Sequence, residues 1–502
     1  MSQLIHGVPV PPPRPVVAPR AASSVVLWRQ GPAGRELFWV RRGAPLRFAA
    51  GFHAFPGGKV DGEDAHVPVR GETGERAAAV AAAARELFEE TGVLIVDGAE
   101  QLSREARDEA RRALLAGDLL FRDFLSGHAL EIDAADFIPA GRWVTPAISP
   151  VRFDARTFLV RFPQGERAEV WPGELSGGEW IATGTALARW HSGEVLLHPP
   201  QLWPIQCLDR AAPPACLDAM RAPPYTEGGV PRRVEFQEGV FLQPLRTPTL
   251  PPATHTNCLV LGVEGGLAVV DPGSPYPEEQ ALLEGLLDEL AAEGRPPRQV
   301  WLTHAHPDHV GGVARLRERY GVSLRAHADA AGMLPAALAR DVLPVADGEL
   351  LGGRWRALHT PGHARGHLAF RDERSGAVAA GDLLSTLSTI VIDPPEGDMA
   401  VYLASLARVR ALEPRTLYPA HGQPAPDGVR ALDDYLAHRR LREAKVAAAL
   451  VPGGTLTEVT ARAYDDTPPA VYPIAERSCL ASLLKLRAEG RATEQGGRWR
   501  ST

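Results

Sequence analysis

The sequence predicts a multi-domain α/β protein, and three observations support that prediction. The chain has 502 residues, which is too long for one ordinary domain and indicates two to four. Its hydrophobic content of 45% and charged content of 23% are typical of a folded globular protein. Apolar runs with the composition of buried strands are followed by polar turns or helical patterns, as in α/β units.

The first ordered elements are predicted from residue 21 onward. Residues 23–28 and 36–41 are apolar strand patterns separated by a Gly-Pro-Ala-Gly turn, which is typical of a β-hairpin. A helical pattern then runs from Ala77 to Glu90, and Gly92 follows it in the position of a C-terminal cap. The N-terminal part therefore combines a hairpin with a long helix.

Three glutamates share one face of this predicted helix. Glu86, Glu89 and Glu90 occupy positions i, i+3 and i+4, so one cation is within reach of all three carboxylates. Crowded carboxylates repel each other unless they are neutralised, and Mg²⁺ or Mn²⁺ does so with oxygen ligands. The simpler interpretation is a solvated acidic face, which is common on its own. The Phe-Pro-Gly-Gly turn at 55–58 favours the metal interpretation.

The segment 85–92 has the sequence Arg-Glu-x-x-Glu-Glu-x-Gly, and with the upstream turn it resembles the catalytic box of Nudix hydrolases. The resemblance implies an α/β/α sandwich in which Mg or Mn is bound by Glu86, Glu89 and Glu90. It also implies that Glu89 and Glu90 are catalytic and that Arg85 supports them.

The box departs from the family pattern in its spacing. The family leaves thirteen residues between the first glycine and the arginine, whereas twenty-six separate Gly58 from Arg85 here. Ala77 stands where the family has a glutamate. The inserted loop offers four acidic substitutes, between which the sequence does not decide: Glu63, Asp64, Glu72 and Glu75.

A second pattern resembles the coenzyme A diphosphatase branch of that family. Arg42, Arg47, Gly57 and Gly58 keep the spacing of the coenzyme A signature just upstream of the box. Arginines at these positions would hold a phosphate or diphosphate through bidentate contacts. The alternative is two surface arginines beside a turn.

The densest group of potential metal ligands lies in the second half of the chain. His304, His306, Asp308 and His309 fall within six residues, between the apolar run 299–302 and a helical pattern over 310–320. This places them on a loop at the carboxyl end of a strand, where open α/β sheets hold their sites. Histidine and aspartate suit Zn²⁺, with Mn or Fe as alternatives.

Four more potential ligands follow apolar runs elsewhere in this half. Asp271, His363, Asp382 and His421 each stand at the end of a predicted strand and beside a turn. With the His-x-His-x-Asp-His motif they resemble the metallo-β-lactamase superfamily in order and type. The resemblance implies an αββα sandwich.

The same resemblance implies a dinuclear site with two Zn ions, or Mn or Fe. Its first metal would be held by His304, His306 and His363, its second by Asp308, His309 and His421, and Asp382 would bridge them. Two such ions lower the pKa of a shared water towards neutrality, and Asp308 counts among the catalytic residues. Asp271 would orient a ligand imidazole without binding metal. Such a site suits hydrolysis of a thioester, ester, lactone or phosphodiester.

The C-terminal segment contains a His-Arg-x-x-Arg-Glu helix over 438–443 and a glycine turn at 496–497. It resembles the lactamase-like 2 branch, whose tail is a small winged-helix-type module. The predicted organisation is a flexible Pro-rich tail (1–20), a Nudix domain (21–212), a linker (213–232), a metallo-β-lactamase domain (233–424) and a C-terminal helical module (425–502).

Composition limits the partners and the compartment. The formal net charge of -7 gives no general attraction for nucleic acid. The four cysteines form no CxxC pair, so we expect a reducing cytoplasm. No apolar run approaches the length of a membrane span. A small-molecule substrate is therefore favoured.

Three functions are compatible with these motifs. The first is a two-headed hydrolase, a Nudix diphosphatase acting on coenzyme A, acyl-coenzyme A or another nucleotide derivative, joined to a thioester- or ester-cleaving metallohydrolase. The second is an RNA-processing enzyme with an endoribonuclease half and a cap-cleaving half. The third is a hydrolase regulated by a degenerate Nudix half that only binds nucleotide. We favour the first because the chain is acidic and lacks interleaved aromatic and basic residues.

Overall fold

The computed structural model describes residues 4–5, 8–9, 15–32, 34–43 and 50–502. Arg47 lies outside the described residues, as does part of the predicted tail at 1–20. A short antiparallel pair of strands, β1 (Leu4–Ile5) and β2 (Val8–Pro9), comes first. The remainder divides into two compact units, an N-terminal unit (Arg14–Glu238) and a C-terminal unit whose main part is Gly239–Thr502.

The N-terminal unit contains the following elements. Its strands are β3 (Arg20–Gly31), β4 (Gly34–Arg42), β5 (His53–Ala54), β6 (Gly57–Lys59), β7 (Val69–Arg70), β8 (Ile132–Asp133), β9 (Ile138–Val144), β10 (Phe153–Arg161), β11 (Leu175–Ala182), β12 (Thr226–Glu227), β13 (Val230–Pro231) and β14 (Glu235–Gln237). Its helices are α1 (Gly74–Thr91), α2 (Arg104–Ala116), α3 (Phe121–Gly127), α4 (Thr183–His191), α5 (Pro199–Arg210) and α6 (Leu217–Arg221).

A mixed sheet organises this unit. Its strand order is β11-β4-β3-β10-β9, with β5 paired to β4 and β6 paired to β3. The predicted hairpin is confirmed, because β3 and β4 pair antiparallel, whereas β10 joins β3 in parallel. One apolar cluster packs α1 to α3 on one side of the sheet, and a second packs α4 to α6.

Helix α1 confirms the predicted helix and begins three residues earlier, at Gly74. It ends at Gly92, whose φ of 74° is the left-handed conformation that glycine adopts at low cost. Every alanine from 78 to 84 is buried, so the helix lies close to the sheet. The Ser23 hydroxyl of β3 donates to the Ala79 carbonyl at 2.7 Å, which ties the helix to the strand beside the Gly57 turn.

The segment predicted as a linker, 213–232, contains helix α6 and strands β12 and β13. Cys216, Leu217 and Met220 are buried in the apolar cluster on α4 and α5. These residues therefore pack as part of the N-terminal unit. The domain boundaries at 212 and 233 stay predictions.

The C-terminal unit contains the following elements. Its strands are β15 (Val240–Arg246), β16 (His255–Val263), β17 (Gly266–Val270), β18 (Pro297–Trp301), β19 (Ser323–Ala326), β20 (Val342–Pro344), β21 (Leu350–Leu351), β22 (Trp355–His359), β23 (Leu368–Asp372), β24 (Val378–Gly381), β25 (Leu417–Pro419), β26 (Gly454–Thr455), β27 (Ala492–Gln495) and β28 (Arg498–Ser501). Its helices are α7 (Pro277–Ala292), α8 (Pro307–Val310), α9 (Val313–Tyr320), α10 (Ala328–Ala331), α11 (Ala336–Ala339), α12 (Met399–Ala411), α13 (Gly428–Ala449), α14 (Leu456–Ala463) and α15 (Tyr472–Ala488).

Two sheets form the core of the C-terminal unit. One has the order β15-β16-β17-β18-β19-β20, with parallel pairing from β17 to β20. The other has the order β21-β22-β23-β24-β25, in which β24 and β25 are parallel. Helices α7 and α9 pack on the first sheet, and α12 and α13 pack on the second.

The helix predicted over 310–320 is interrupted in the structure. Helix α8 ends at Val310 and α9 begins at Val313. A Cβ added to Gly311 would lie 2.4 Å from the Gly273 carbonyl oxygen, and one on Gly312 would lie 2.7 Å from the Pro272 carbonyl. The two glycines let the loop after β17 approach the helix backbone, and that approach separates the two helices.

The C-terminal helices end in a small winged module. Strands β27 and β28 form the predicted hairpin around residues 496–497, and β26 extends it to three strands. Helices α13, α14 and α15 bury a common apolar cluster that includes Trp499. Within the described part of the chain, none of the helices has the length and hydropathy needed to cross a bilayer.

Candidate functional site

The structure brings the predicted ligands of the C-terminal unit together at the ends of five strands. Asp271 follows β17, the His304–His309 loop follows β18, His363 follows β22, Asp382 follows β24 and His421 follows β25. The sequence patterns therefore placed each of them correctly at a strand end. All are buried except His306 and Asp308, which are partly exposed.

Two of these loops interlock through glycine. A Cβ on Gly273 would lie 1.8 Å from the Asp308 carbonyl oxygen, so no other residue fits without moving the ligand loop. The Gly312 amide donates to the Pro272 carbonyl at 2.6 Å. Asp271 itself has a φ of 49°, a left-handed conformation in which aspartate is tolerated better than most residues. The two loops therefore form one interlocked block.

Three histidine nitrogens converge on one side of the cluster. His304 Nε2 lies 2.9 Å from His306 Nδ1, and His363 Nε2 lies 3.1 Å from the same atom. One ligand atom from each of these residues lies within 4.8 Å of the other two. This group corresponds to the predicted first metal position.

The other predicted ligands converge beside it. His421 Nε2 lies 3.5 Å from Asp308 Oδ2, and His309 Nε2 lies 3.8 Å from that oxygen. Asp382 is shared between the groups, because its carboxylate lies 3.4 Å from both His363 Nε2 and His421 Nε2. The carboxylate predicted to bridge is therefore the one that contacts both sides.

Hydrogen bonds behind the cluster fix which nitrogen of each imidazole faces inward. His363 Nδ1 donates to the Val391 carbonyl at 2.8 Å, and His421 Nδ1 donates to the His255 carbonyl at 2.9 Å. His309 Nδ1 lies 2.8 Å from Asp271 Oδ2, so Asp271 contacts the imidazole of a predicted ligand. Each Nε2 therefore faces the centre of the cluster, where it can bind a cation once it is deprotonated.

Thr303 and Glu396 extend this set, and the sequence reasoning missed both. The Thr303 hydroxyl donates to Asp271 at 2.6 Å and therefore accepts from His304 Nδ1 at 2.9 Å. Glu396 Oε2 lies 3.6 Å from His306 Nε2. Thr303 precedes the motif and could have been noticed. Glu396 stands ninety residues after His306 in an irregular segment, where no local pattern marks it.

Charge in the cluster is unbalanced without a cation. Burial and the neighbouring imidazoles hold the pKa of His304 well below its usual range, and burial lowers the pKa of His363 to about 4. Burial also disfavours charge on His309, but the carboxylates of Asp271, Asp308 and Asp382 raise its pKa to about 10. The carboxylates therefore favour positive charge beside them, while the imidazoles of His304 and His363 stay neutral.

The donor set fits a transition metal. Within the described part of the chain, His309 Nε2 and Asp382 Oδ1 are buried without a hydrogen-bond partner. Buried polar atoms are nearly always satisfied, and these two face other ligand atoms. Imidazole and carboxylate donors suit Zn, Mn or Fe. A divalent cation would satisfy the unpaired atoms and neutralise the carboxylates.

A further group of potential ligands lies outside the cluster and fits a metal less well. His327, Asp329 and His359 have ligand atoms within 4.8 Å of one another. The His327 and His359 rings are stacked, with centroids 4.0 Å apart and planes 7° apart. The lone pair of a ring nitrogen lies in the plane of its ring. Because these two planes are nearly parallel and lie apart, the two lone pairs cannot meet at one ion, so we assign no metal there.

The acidic face of α1 lies against the Phe-Pro-Gly-Gly turn. The Gly57 amide donates to Glu90 Oε2 at 3.0 Å. A Cβ on Gly58 would lie 2.3 Å from Glu86 Oε1, so any other residue would displace the Glu86 carboxylate. The predicted glycines and two of the three glutamates are thus in contact.

Arg85 connects the acidic face to the inserted loop. Its guanidinium donates to both carboxylate oxygens of Asp64 at 2.9 Å, to Glu86 at 2.9 Å and to Glu89 at 3.1 Å. Of the four acidic residues considered as substitutes in the inserted loop, Asp64 is the one that the structure pairs with Arg85. It follows Gly58 by six positions, the spacing of the missing glutamate when it is counted from the glycine. Ala77, the position obtained by counting back from Arg85, is partly buried on α1.

Burial raises the pKa of Glu86 to about 7 and that of Glu90 to about 8. It also raises the pKa of Glu89, against the opposing effect of Arg85. A cation would remove this cost, since it favours the ionised forms. Within the described residues, however, the groups of three ligand atoms within 4.8 Å of one another do not include these three glutamates. Arg85 occupies part of the space between them.

Of the two arginines predicted to bind substrate, Arg42 is the one that lies within the described residues. Burial lowers its pKa, and the charges of Glu90 and Glu174 oppose that effect. Glu174 also raises the pKa of Glu90. Three other glutamates of this unit are paired with arginine: Glu166 with Arg107, Glu169 with Arg104 and Glu179 with Arg189.

Replacing Asp64 should weaken the N-terminal unit. Asp64 is 1% exposed, and the change Asp64→Asn removes the buried carboxylate that accepts from Arg85 through both of its oxygens. Breaking a buried ion pair costs roughly 3 kcal/mol or more. We expect a fall of that size in the free energy of unfolding, measured by urea denaturation. The neighbouring change Glu63→Gln, at an exposed side chain, should have little effect and serves as the control; equal effects of the two would contradict the assignment.

The chain matches two family models. Residues 251–421 match the metallo-beta-lactamase superfamily, and residues 455–499 match the beta-lactamase associated winged helix domain. The first range includes Asp271 and every predicted ligand from His304 to His421. The second contains α14, α15 and β27 and ends within β28.

Similar proteins are found among curated sequences and solved structures. The chain is 28% identical to a beta-lactamase-like protein 2 homolog of Caenorhabditis elegans over 244 residues, 47% of this chain and 79% of that protein. It is 29% identical to the atrochrysone carboxyl ACP thioesterase AacuM of Aspergillus aculeatus over 214 residues, 41% of this chain and 64% of that protein. A NUDIX hydrolase structure from Alicyclobacillus acidocaldarius aligns at 29% identity and a TM-score of 0.38, over 42% of this chain and 100% of that one.

Three predictions are confirmed by the fold and the family matches. The chain is a mixed α/β multi-domain protein with a metallo-β-lactamase domain and a small C-terminal winged-helix module. It is a hydrolase of the metallo-β-lactamase type. Its metallo-β-lactamase domain has His and Asp groups suited to divalent metal.

Proposed function

We propose that the protein is a two-headed metal-dependent hydrolase. The C-terminal unit would bind two transition-metal ions and cleave a thioester or ester. The N-terminal unit would be a Nudix-type diphosphatase acting on coenzyme A, acyl-coenzyme A or another nucleotide derivative. The two activities are argued separately because they rest on different residues.

One observation supports the dinuclear site most strongly. His363 and His421 donate from Nδ1 to backbone carbonyls, so their Nε2 atoms face the carboxylates of the cluster. Two buried ligand atoms, His309 Nε2 and Asp382 Oδ1, have no hydrogen-bond partner among the described residues. His304, His306 and His363 would hold one ion, Asp308, His309 and His421 the other, and Asp382 both. Two divalent ions bound there would polarise the scissile carbonyl and acidify water.

The protein's own residues would orient the site and handle the proton. Through hydrogen bonds to Nδ1, Asp271 and Thr303 turn the Nε2 atoms of His309 and His304 toward the centre of the cluster. The side chain of Asp308, at 13% exposed, is the more accessible of the two cluster carboxylates, since that of Asp382 is 9% exposed. Asp308 is therefore placed to accept a proton from water that enters the site.

A thioester or ester substrate is favoured for this half by similarity. One of the similar proteins is named a carboxyl ACP thioesterase, and the family match covers the ligand-bearing region. The formal net charge of -7 weighs against an RNA substrate. Cleavage of unstructured RNA by the purified protein, without thioesterase activity, would reverse that preference.

Metal content tests the dinuclear site directly. We expect about two equivalents of Zn, Mn or Fe per chain by elemental analysis, because the two ligand groups are preformed. The change His363→Ala should lower that content to about one, since it removes a donor from one group only. His438→Ala, a histidine on α13 outside the cluster, should leave it unchanged. Protein that takes up no metal on reconstitution would contradict the proposal.

The diphosphatase proposal rests on the contacts of the acidic face. Glu86 and Glu90 approach Gly58 and Gly57, and Arg85 is held by Asp64. The charge of Glu90 opposes the lowering of the Arg42 pKa by burial. With Mg or Mn bound, Glu89 and Glu90 would be catalytic, and Arg42 would contact a phosphate group. Because Asp64 takes the place of the missing glutamate, the box is complete in charge despite its longer loop.

Turnover distinguishes the diphosphatase proposal from the regulatory alternative. If the N-terminal unit only binds nucleotide, the protein should bind coenzyme A or a nucleoside diphosphate without releasing a mononucleotide. If the diphosphatase proposal is right, incubation with Mg²⁺ or Mn²⁺ should release 3′,5′-ADP from coenzyme A or a mononucleotide from a related compound.

A further inference from the structure

The segment 390–398 lies between β24 and α12 and touches two histidines of one ligand group. The Val391 carbonyl accepts from His363 Nδ1 at 2.8 Å. Glu396 Oε2 lies 3.6 Å from His306 Nε2. Both contacts are made to the outward nitrogens, so the segment determines which nitrogen of each ring faces the cluster.

The C-terminal helices hold this segment in place. The Ile390 amide donates to the Tyr435 hydroxyl at 2.6 Å, and the Arg439 guanidinium donates to the Ile390 carbonyl. The Ile392 amide donates to the Ser478 hydroxyl at 3.2 Å. Tyr435 and Arg439 belong to α13 and Ser478 to α15, so both residues flanking Val391 are fixed from outside the two sheets.

Arg439 is a buried cation at the contact between α13 and the segment 390–398. It is 6% exposed, and among the described residues it forms no ion pair with a carboxylate. Its guanidinium lies 5.1 Å from the centre of the Tyr402 ring and 5.3 Å from that of the Tyr435 ring. Aromatic faces and a carbonyl stabilise the charge there. An apolar side chain would fill the space but leave the Ile390 carbonyl without its donor.

We propose that Tyr435, Arg439 and Ser478 are positioning residues for the first metal position, a proposal that rests on the dinuclear site proposed above. They hold 390–398 so that Val391 and Glu396 orient His363 and His306. The second position does not depend on them, because His309 is oriented by Asp271 and His421 by the His255 carbonyl. The helical module thus controls the affinity of one ion and not of the other.

Removing only hydroxyl groups tests this coupling with little risk to the fold. The double variant Tyr435→Phe, Ser478→Ala keeps the aromatic ring and the helix. It removes the two hydroxyls that accept from the Ile390 and Ile392 amides. Competition with a chromophoric chelator should show one of the two Zn ions bound about 10–100-fold more weakly, with the other unchanged. Ser482→Ala is the control, because Ser482 is buried one turn along α15 and donates only to the Ser478 carbonyl.

Glu396→Gln provides a second, independent variant. It acts on His306 directly, so it should weaken the same ion even if the double variant folds poorly. Thermal unfolding of the metal-free proteins shows whether any variant is merely destabilised. Wild-type protein that binds no metal would contradict the proposed function itself. Wild type with two ions, and all variants with unchanged affinities or with both ions weakened equally, would overturn this inference alone.

Discussion

Replacing Asp382 with asparagine should reduce hydrolysis by the C-terminal unit roughly a thousandfold, which is about 4 kcal/mol of transition-state stabilisation. The Asp382 carboxylate lies 3.4 Å from both His363 and His421 and 3.8 Å from His309. Asparagine keeps the shape but removes the negative charge, so both ligand groups lose their shared donor. The measurement is the rate of thioester or ester hydrolysis, with metal content determined on the same sample.

The matched control for this change is Asp347→Asn. Asp347 is a half-exposed carboxylate of the same unit that pairs with Arg408, accepts from the His359 backbone amide and belongs to neither ligand group. Its loss should change the rate less than threefold, since surface substitutions stay within about 0.5 kcal/mol. If Asp382→Asn retained both ions and its activity, the bridging role would be wrong.

Replacing Glu89 with glutamine should reduce diphosphatase turnover roughly a thousandfold as well. Diphosphates resist hydrolysis because negative oxygens shield the phosphorus, and cations held by the acidic face would neutralise that charge. The Glu89 side chain is 18% exposed and already contacts Arg85, so the change removes charge at the centre of the face. The measurement is mononucleotide release with Mg²⁺ or Mn²⁺.

Glu75→Gln is the control on the same helix. The Glu75 side chain, in the first turn of α1, is 93% exposed, so its charge is solvated. Equal activity of wild type, Glu75→Gln and Glu89→Gln would place the chemistry elsewhere. A wild type that binds nucleotide but releases nothing would favour the regulatory alternative.

The cluster of candidate metal ligands could be predicted from sequence because its residues follow strands. A strand ending in a turn presents its next residue at the sheet edge, so Asp271, His363, Asp382 and His421 were found one at a time. The groups that contact the outward nitrogens of the imidazoles could not be predicted in this way. The Val391 and His255 carbonyls are backbone atoms, which no residue type reveals. Glu396 comes from an irregular segment whose position depends on α13 and α15.

The N-terminal site shows a second limit of sequence reasoning. Counting back from Arg85 pointed to Ala77, because an insertion moves every position on one side of it. Counting forward from Gly58 leads to Asp64, but only the folded chain shows that this side chain reaches Arg85. Likewise, the interruption between α8 and α9 follows from the approach of a loop distant in sequence, which local helix propensity does not contain.

The interlocked glycines at Gly273, Gly311 and Gly312 have a consequence for how metal enters. Loops that pack against each other this closely lose their conformational freedom when the domain folds. The entropic cost of ordering them is therefore not part of the free energy of metal binding. Uptake of an ion then requires little rearrangement of the polypeptide, unlike in small domains whose folding waits for their metal. Exchange of ions in the finished protein would be limited by dehydration and access along the partly exposed His306 and Asp308.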